Sequence, residues 1–232
     1  DGQQARPPYT VEQVVKVFTF MHRIGGERGL IRQSEFFLYG EQDRAAVAAC
    51  RNLGFAFPEI TAWIRAVKSD FELVKQMELE ETGILTSCSD YHIFLKLRKN
   101  RRQALDGYKD IVGAALANGI VPRCHLEDLT RADVFGLVIP MINEIKDLCQ
   151  GTGLTPTFRL CDTMGYGLPY AGSSLPRGIP ALLQAIRENT DVRPEQLEWH
   201  GHNDFHKVMV NAATAWVHGC AGANGTFFGL GE

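Results

Sequence analysis

The sequence lacks several features that would place the protein in a membrane or outside the cell. Its apolar runs all fall short of the ~20 residues that a membrane-spanning helix requires, and we find no pattern typical of a secretory signal peptide. The six cysteines include no C-x-x-C pair, which argues against a thiolate-bound zinc or iron–sulfur site. An even number would permit disulfides, but reduced, buried cysteines are typical of the cytosol, and we expect a cytoplasmic protein that binds no membrane.

Basic charge is also scarce. The chain has 24 Lys and Arg against 27 Asp and Glu, a formal net charge of -3, whereas general nucleic-acid-binding proteins usually carry a basic stripe. We therefore expect no nucleic-acid partner. No low-complexity linker divides the 232 residues, and hydrophobic residues make up 45% of them. This predicts one domain over residues 1–232, close to the about 250 residues typical of a single α/β barrel.

Short apolar runs alternate with longer helical patterns along the chain. Seven runs are candidate strands, at 30–38, 59–66, 83–90, 119–128, 157–165, 197–204 and 224–232. Strand–helix alternation predicts a parallel sheet, either a (β/α)8 TIM barrel or a doubly wound open sheet. The sequence starts at Asp1 without an entry strand and stops within an apolar run. We therefore expect a piece of a longer polypeptide, in which the first strand and the last helix of a barrel are missing.

The position of the polar residues favours the barrel. Polar and charged residues close or follow six of the seven candidate strands, namely Glu35, Arg65, Ser87, Ser89, Asp90, His92, Arg123, Glu127, Asp128, Asp162, Thr163, His200, His202, Asn203 and Asp204. In a barrel, the carboxyl ends of the strands converge on one mouth, and the active site lies there. The sequence therefore predicts an active site built from these strand ends.

Three histidines occur in the stretch LEWHGHNDFHK (197–207). On a strand, His200 and His202 point to the same face, so both imidazoles can reach one divalent metal ion. Two ordinary histidines at the barrel mouth would give the same pattern. His206 falls in the following helical pattern, where we interpret it as a polar residue of the first turn. Asp1 can supply an oxygen ligand at the same mouth, or it can be a turn residue alone.

Five short motifs occur in order along the chain: DGQQ (1–4), LEDLTRAD (126–133), LCDTMG (160–165), HGHND (200–204) and GLGE (229–232). Their order and spacing resemble the DRE-TIM metallolyases, a family of isopropylmalate, homocitrate, citramalate and Re-type citrate synthases with HMG-CoA lyase. The stretches most similar to the Re-type citrate synthases are RPPYTVEQ, IRQSEFFLYG, SCSDYHIFLKLR and RCHLEDLTRAD. The resemblance implies a (β/α)8 barrel that binds one divalent cation, and commonly a homodimer.

The resemblance implies a metal centre. Asp1, His200 and His202 match three metal ligands of the family, and imidazole with carboxylate suits Mn, Co, Mg or Zn. A family asparagine ligand would follow GLGE, and a catalytic arginine would precede Asp1. Both positions lie beyond residues 1–232.

The resemblance also implies the residues that act on the substrates. Glu127 matches the family's acidic residue that assists proton transfer. Gln4 matches the glutamine that faces the substrate, and Thr163 matches the threonine that hydrogen-bonds the carboxylate of a 2-oxo acid. His92 matches the histidine of the family's S-x-x-H motif on the fourth strand, and we expect it to bind substrate as well. The implied activity is that of an acyltransferase, which condenses acetyl-CoA with the 2-oxo acid in a Claisen reaction and then hydrolyses the thioester.

Basic residues at the strand ends bear on the choice of oxo acid. A second carboxylate buried in the site must be paired, and Arg65, Arg123 and His92 are placed to pair it. This favours a dicarboxylic acid, above all oxaloacetate, which would give citrate. The two arginines could instead pair with Glu35 or Glu127 as scaffold. Homocitrate or isopropylmalate synthesis, cleavage of the HMG-CoA lyase type and a catalytically silent barrel are the alternatives.

Overall fold

The structure, a computed structural model, describes residues 7–229. Its strands form one parallel sheet in which each strand pairs with the next along the chain. The strands are β1 (Gln33–Phe36), β2 (Glu59–Arg65), β3 (Glu81–Ser87), β4 (Val121–Glu127), β5 (Thr157–Asp162), β6 (Leu197–Gly201) and β7 (Gly222–Ala223). The predicted parallel α/β sheet is thereby confirmed.

The helices precede or connect the strands. They are α1 (Val11–Gly25), α2 (Glu41–Arg51), α3 (Lys68–Gln76), α4 (Arg101–Ala117), α5 (Ile139–Cys149), α6 (Ile179–Thr190) and α7 (Val208–Val217). The Thr10–Gln13 pair forms the capping box that its spacing predicts at the start of α1. Among the described residues, the structure contains no helix of the length and apolarity that crossing a membrane would require.

Two elements differ from the sequence prediction. The short helix α3 was not predicted, because its nine residues KSDFELVKQ offer only Phe71 and Val74 as buried apolar positions. The last strand was predicted at 224–232, but the pairing with β6 is made by Gly222 and Ala223, and Phe227–Gly229 forms a 3-10 turn. Residues 230–232 of that predicted strand lie outside the described part of the chain.

The sheet is curled into an open half-barrel. In a flat sheet, β1 and β5 would lie about 19 Å apart, because neighbouring strands are about 4.8 Å apart. Yet Arg159 of β5 donates a hydrogen bond to Glu35 of β1 over 2.6 Å. The side chains of alternate residues therefore meet on a concave inner face, and the side chains between them point outward.

The outer face of the sheet packs against the helices. Ile64, Ile84, Leu126, Leu160 and Trp199 are fully buried in this layer. All six cysteines are buried and unpaired. Because the apolar core lies outside the sheet, the inner face is left to polar side chains, and these build the candidate site.

Candidate active site

A cavity of about 260 Å³ opens on the inner face at the carboxyl ends of the strands. Its lining comes from β1 to β6 and the residues that follow them: Glu35, Phe37, Trp63, Leu85, His125, Glu127, Arg159, Cys161, Thr163, His200 and His202. Wherever a strand and the residues after it contribute more than one lining residue, these are two apart, as expected for side chains that share one face. The cavity is large enough for a small organic acid, and one side of it is polar.

His200 and His202 lie at the end of β6 with their rings at the cavity. Their Nε2 atoms are 3.2 Å apart. Burial and the charge of Arg159 lower the pKa of His200 to about 4, so this imidazole is neutral at pH 7. The neutral imidazole is the form that binds a metal ion.

The geometry of the histidine pair is compatible with one shared cation. Two imidazole nitrogens at about 2.0–2.1 Å from a tetrahedral ion lie roughly 3.3 Å apart, close to the observed distance. Among the residues that the structure describes, no group of three or more His, Cys, Asp or Glu side chains is arranged to hold a metal ion. The predicted third ligand, Asp1, lies outside the described residues, so the described part of the site contains two of the three predicted ligands.

Glu127 ends β4 and is surrounded by donors. Its carboxylate lies 3.0 Å from Nδ1 of His92 and 3.0 Å from Nζ of Lys96, and it accepts a hydrogen bond from the hydroxyl of Ser87. Burial alone would raise the pKa of this carboxyl, but the contacts with His92, Ser87 and Lys96 lower it to about 2. Glu127 is therefore ionised at neutral pH and can accept a proton.

Thr163 is fixed by two neighbouring aspartates. Its Oγ1 accepts a hydrogen bond of 2.8 Å from the backbone N–H of Asp128. Asp162, the preceding residue, is fully buried and accepts hydrogen bonds from the Thr130 hydroxyl at 2.7 Å and the Gly167 N–H at 2.8 Å. The carbonyl of Asp162 also accepts the N–H of His202 at 3.2 Å. The same short segment thus holds both Thr163 and one of the candidate metal ligands.

Below the cavity, charged side chains from distant strands neutralise one another. Arg123 contacts Glu81 and, through Nε at 2.9 Å, Glu198. Arg159 contacts Glu198 at 3.2 Å and Glu35 at 2.6 Å. Burial alone would raise the pKa of the Glu35 carboxyl, but the charge of Arg159, with smaller contributions from His125 and Arg123, lowers it overall. We call Glu35, Glu81, Arg123, Arg159 and Glu198 the inner ion cluster.

His125 lies between the inner ion cluster and the cavity. Its Nε2 is 3.4 Å from Glu35, and burial followed by the charge of Arg159 lowers its pKa to about 4. The ring has room because position 83 is glycine: a Cβ there would lie 2.5 Å from Nε2 of His125 and 3.0 Å from Glu35. The neutral imidazole therefore occupies space that β3 leaves open.

The structure brings together four of the predicted site residues. Glu127, Thr163, His200 and His202 line the cavity, and His92 lies directly behind Glu127. The structure therefore establishes that these residues lie close together, and their chemical roles stay predictions. Asp1 and Gln4 lie outside the described residues.

The structure does not place the two predicted substrate arginines at the cavity. Arg65 donates to the carboxylate of Asp70 at 2.8 and 2.9 Å on the rim. Arg123 is 3% exposed and belongs to the inner ion cluster. Both guanidinium groups already have carboxylate partners, which favours the scaffold alternative that the sequence left open, with partners that differ in part from those expected.

Sequence reasoning missed His125 and Arg159 as cavity residues. The signal was present in R-x-H-x-E (123–127), where His125 must share a face with Arg123 and Glu127 by the spacing rule that pairs His200 with His202. Arg159 stands in the same relation to Cys161 and Thr163. Both are hidden within apolar strands, and neither is close in sequence to its partner Glu35.

Comparison with known proteins places the chain in a family. A model of the HMGL-like family matches residues 1–232. The chain is 57% identical to a citrate (Re)-synthase of Syntrophus aciditrophicus, over 100% of this chain and 37% of that protein. It is 47% identical to a citrate (Re)-synthase of Clostridium kluyveri, over 100% of this chain and 51% of that protein. The chain thus spans about half or less of the length of these curated relatives.

A solved structure shows the same fold. The hydroxymethylglutaryl-CoA lyase of Pseudomonas aeruginosa matches with a TM-score of 0.73 at 15% identity, over 100% of this chain and 75% of that chain. At this identity the likeness concerns the fold alone. The family match confirms the resemblance that the five sequence motifs indicated, and it covers every residue of the chain. The chain belongs to the HMGL-like family.

Proposed function

We propose that this chain catalyses the condensation of acetyl-CoA with a 2-oxo dicarboxylic acid, most specifically oxaloacetate, to give citrate and CoA. One observation carries the proposal: the histidine pair, an ionised carboxylate and a fixed threonine hydroxyl all line one small cavity. The two citrate (Re)-synthases, similar over the whole chain, support the choice of reaction.

In this proposal His200 and His202 bind a divalent cation together with Asp1. Mn, Co, Mg and Zn are all compatible with imidazole and carboxylate ligands. When bound, the cation supplies Lewis acidity that polarises the ketone of the oxo acid. The protein keeps His200 neutral by burial, so the ligand is ready at pH 7 without loss of a proton.

Glu127 is the group we assign to proton transfer. Its carboxylate lines the cavity, where it can assist proton transfer between the substrates. Lys96 and His92 hold the carboxylate from behind at 3.0 Å each. The same contacts that keep it ionised therefore also fix its direction.

Thr163 and Gln4 are the residues that we assign to the oxo acid. Thr163 accepts the N–H of Asp128, so its own proton is available to the 1-carboxylate of the substrate. For the second carboxylate, the basic side chains that line or border the cavity are His125, Arg159 and His92. All three arginines have carboxylate partners, but Arg159 also lines the cavity, whereas Arg65 and Arg123 do not.

We also propose that the sheet belongs to a complete (β/α)8 barrel acting as one catalytic domain. Support comes from the curl of the sheet and from the likeness to a lyase of this fold. A homodimer and a cytoplasmic location are the family's usual setting, and six buried, unpaired cysteines agree with a reducing compartment.

The direct test is an assay of the full-length protein with Mn²⁺, acetyl-CoA and a panel of oxo acids, following CoA release. We expect the highest kcat/KM with oxaloacetate, ahead of 2-oxoglutarate, pyruvate and 2-oxoisovalerate. A preference for 2-oxoisovalerate would overturn the dicarboxylate assignment. Release of acetyl-CoA or acetoacetate from a hydroxyacyl-CoA, without condensation, would instead indicate a lyase.

A histidine variant tests the metal centre separately. His200→Ala should lose bound Mn²⁺, measured by elemental analysis after gel filtration, and should lose turnover. His206→Asn is the matched control, since His206 lies five residues away from β6, is exposed and has a positive φ that asparagine tolerates. Equal metal content in both variants would refute the ligand assignment.

A further inference from the structure

Asp128 has an unusual backbone for a buried residue. Its φ of 66° and ψ of 34° lie in the left-handed region, which non-glycine residues rarely adopt. Five non-glycine residues with positive φ occur in the described part of the chain: Glu78, Arg98, Asp128, Asp191 and His206. Four of them are exposed, and Asp128 is 0% exposed. Such a conformation costs about 1–3 kcal/mol and concentrates at functional sites.

Side chains from two elements hold Asp128 in this conformation. Its carboxylate accepts a hydrogen bond from the hydroxyl of Ser89, and its two oxygens share the single Nε–H of Arg131, with Nε at 2.8 and 3.0 Å. Nη2 of Arg131 lies 2.7 Å from the same group, and Nε2 of His92 lies 3.8 Å away. The carboxylate therefore has several partners that lie outside the cavity lining.

The consequence of the left-handed turn is found in the backbone. It ends β4 immediately after Glu127, and it directs the N–H of Asp128 to Oγ1 of Thr163 at 2.8 Å. A hydroxyl oxygen that accepts a hydrogen bond from one donor must point its own O–H toward a different acceptor. Thr163 lines the cavity, and among the described residues its hydroxyl proton has no acceptor in the protein. The proton is thus left for a ligand in the cavity.

We propose that Asp128 is a positioning residue for substrate binding: its left-handed backbone presents the N–H that turns the Thr163 hydroxyl toward the carboxylate of the 2-oxo acid. This inference rests on the proposed function, which gives Thr163 that ligand. The role of the Asp128 side chain is to stabilise the turn, and the atom that acts on Thr163 is the backbone nitrogen. The same turn separates Glu127, which points into the cavity, from Asp128, which does not.

The test is a pair of variants that remove the same carboxylate and differ in backbone freedom. Asp128→Ala disfavours the left-handed turn, whereas Asp128→Gly permits it. In the full-length, Mn²⁺-loaded enzyme, we expect KM for oxaloacetate to rise about 10- to 100-fold in the alanine variant, as for the loss of one hydrogen bond to a charged group. The glycine variant should stay within about threefold of the parent, and KM for acetyl-CoA should change in neither. Equal KM values for the two variants would overturn the inference.

A third variant covers the case in which the alanine variant does not fold. Asp128→Asn removes the charge but keeps a residue that adopts the left-handed region readily and can still accept from Ser89. Its KM for oxaloacetate should stay within about threefold of the parent. A rise of tenfold or more in a folded asparagine variant would mean that the charge itself acts on the substrate, against the inference.

A double-mutant cycle separates this inference from the proposed function. Thr163→Val removes the hydroxyl and should raise KM for oxaloacetate on its own. Adding Asp128→Ala should then change KM by less than about twofold, because the atom it positions is gone. If the effects of Asp128→Ala and Thr163→Val on KM were fully additive, the inference would be overturned and the proposed function would stand. An unchanged KM in Thr163→Val alone would refute the role of Thr163 in the proposed function, and the inference with it.

Discussion

Arg123 and Glu127 lie four residues apart on the same face of β4, yet they belong to two different regions of the half-barrel. Arg123 is 3% exposed, and its charge is neutralised by carboxylates from β3 and β6. Glu127 is held by His92 and Lys96, but it still lines the cavity. At the base of the inner face, the charges of the inner ion cluster pair with one another, although Glu35 and Arg159 also line the cavity. At the rim, the carboxylate of Glu127 lines the cavity while it is held by His92 and Lys96.

The comparison shows that residue type alone does not identify a site residue on this fold. An arginine on the inner face of a strand is scaffold when carboxylates from other strands surround it. A glutamate two positions higher than His125 becomes a candidate base because its partners approach from one side only. The position of a charged residue along the strand therefore decides whether it stabilises the fold or is available to a ligand. Substitutions at the base should mainly reduce stability, and substitutions at the rim should mainly reduce activity.

The largest effect is expected at the rim, in catalysis. Glu127→Gln keeps the shape and the contact with Ser87 but removes the charge that can accept a proton. We expect kcat to fall by about 10²- to 10⁴-fold, and the thermal midpoint to fall moderately, because the contacts that hold the pKa of Glu127 near 2 also stabilise the folded protein. Steady-state CoA release and a melting curve check both points. Retained kcat would remove Glu127 from proton transfer, and a collapsed midpoint would show that rim and base do not differ as described.

At the base, the effect is expected in stability. Arg123→Leu leaves the carboxylates of Glu81 and Glu198 without their common partner, and breaking a buried ion pair in this way costs about 3–5 kcal/mol. Urea unfolding of the full-length protein measures the loss. The matched control is Arg32→Leu, whose pair with Glu59 at 2.7 Å is exposed on both sides and contributes at most about 1 kcal/mol. Similar losses in the two variants would contradict the cluster's structural role.

His125 connects the two levels and gives a smaller, pH-dependent effect. Its folded-state pKa of about 4 lies below the 6.5 of the unfolded chain, so protonation favours unfolding. The stabilisation is complete above pH 6.5 and is lost as pH falls toward 4, on the order of 1–2 kcal/mol between pH 7 and pH 5. His125→Gln should reduce this acid-induced loss of unfolding free energy. An identical pH dependence in parent and variant would show that His125 titrates normally.

The smallest effect is expected for Arg65 on the rim. Its guanidinium is occupied by Asp70, and its side chain is 62% exposed. Asp70 is only 5% exposed, but it keeps the Tyr39 hydroxyl as a partner, so Arg65→Gln should cost about 1 kcal/mol of unfolding free energy and change KM for oxaloacetate by less than twofold. A tenfold rise in KM with unchanged stability would restore Arg65 as the receptor of the second carboxylate.

The sequence was sufficient for the parallel α/β sheet and for the family, because strand–helix alternation and short motifs are local patterns. The rule that residues i and i+2 share a strand face also placed His200 beside His202. The helix α3 escaped prediction because it is short and has few apolar positions. The chemical roles of Asp1, Gln4, Glu127 and Thr163 stay predictions. They depend on the resemblance and on the binding of metal and substrates, which the assays above test.

The partners of Arg65, Arg123 and Arg159 escaped prediction for a different physical reason. Ion pairs across the inner face depend on the curl of the sheet, and no local pattern records which strands will face each other. The conformation of Asp128 is a second case, because aspartate adopts the left-handed region only when its surroundings fix it there. The ion pairs and the conformation of Asp128 are therefore seen only in the three-dimensional structure.

The pair of Glu35 and Arg159 has a consequence for how the chain folds. The two residues are 124 positions apart, so their contact closes a very long loop and requires β1 to β5 to be assembled. Contacts of such high sequence separation form late, because the entropy of the intervening chain must be lost first. The inner ion cluster is therefore a marker of completed folding, and nascent chains that end before β5 lack Arg159, the partner that lies nearest to Glu35.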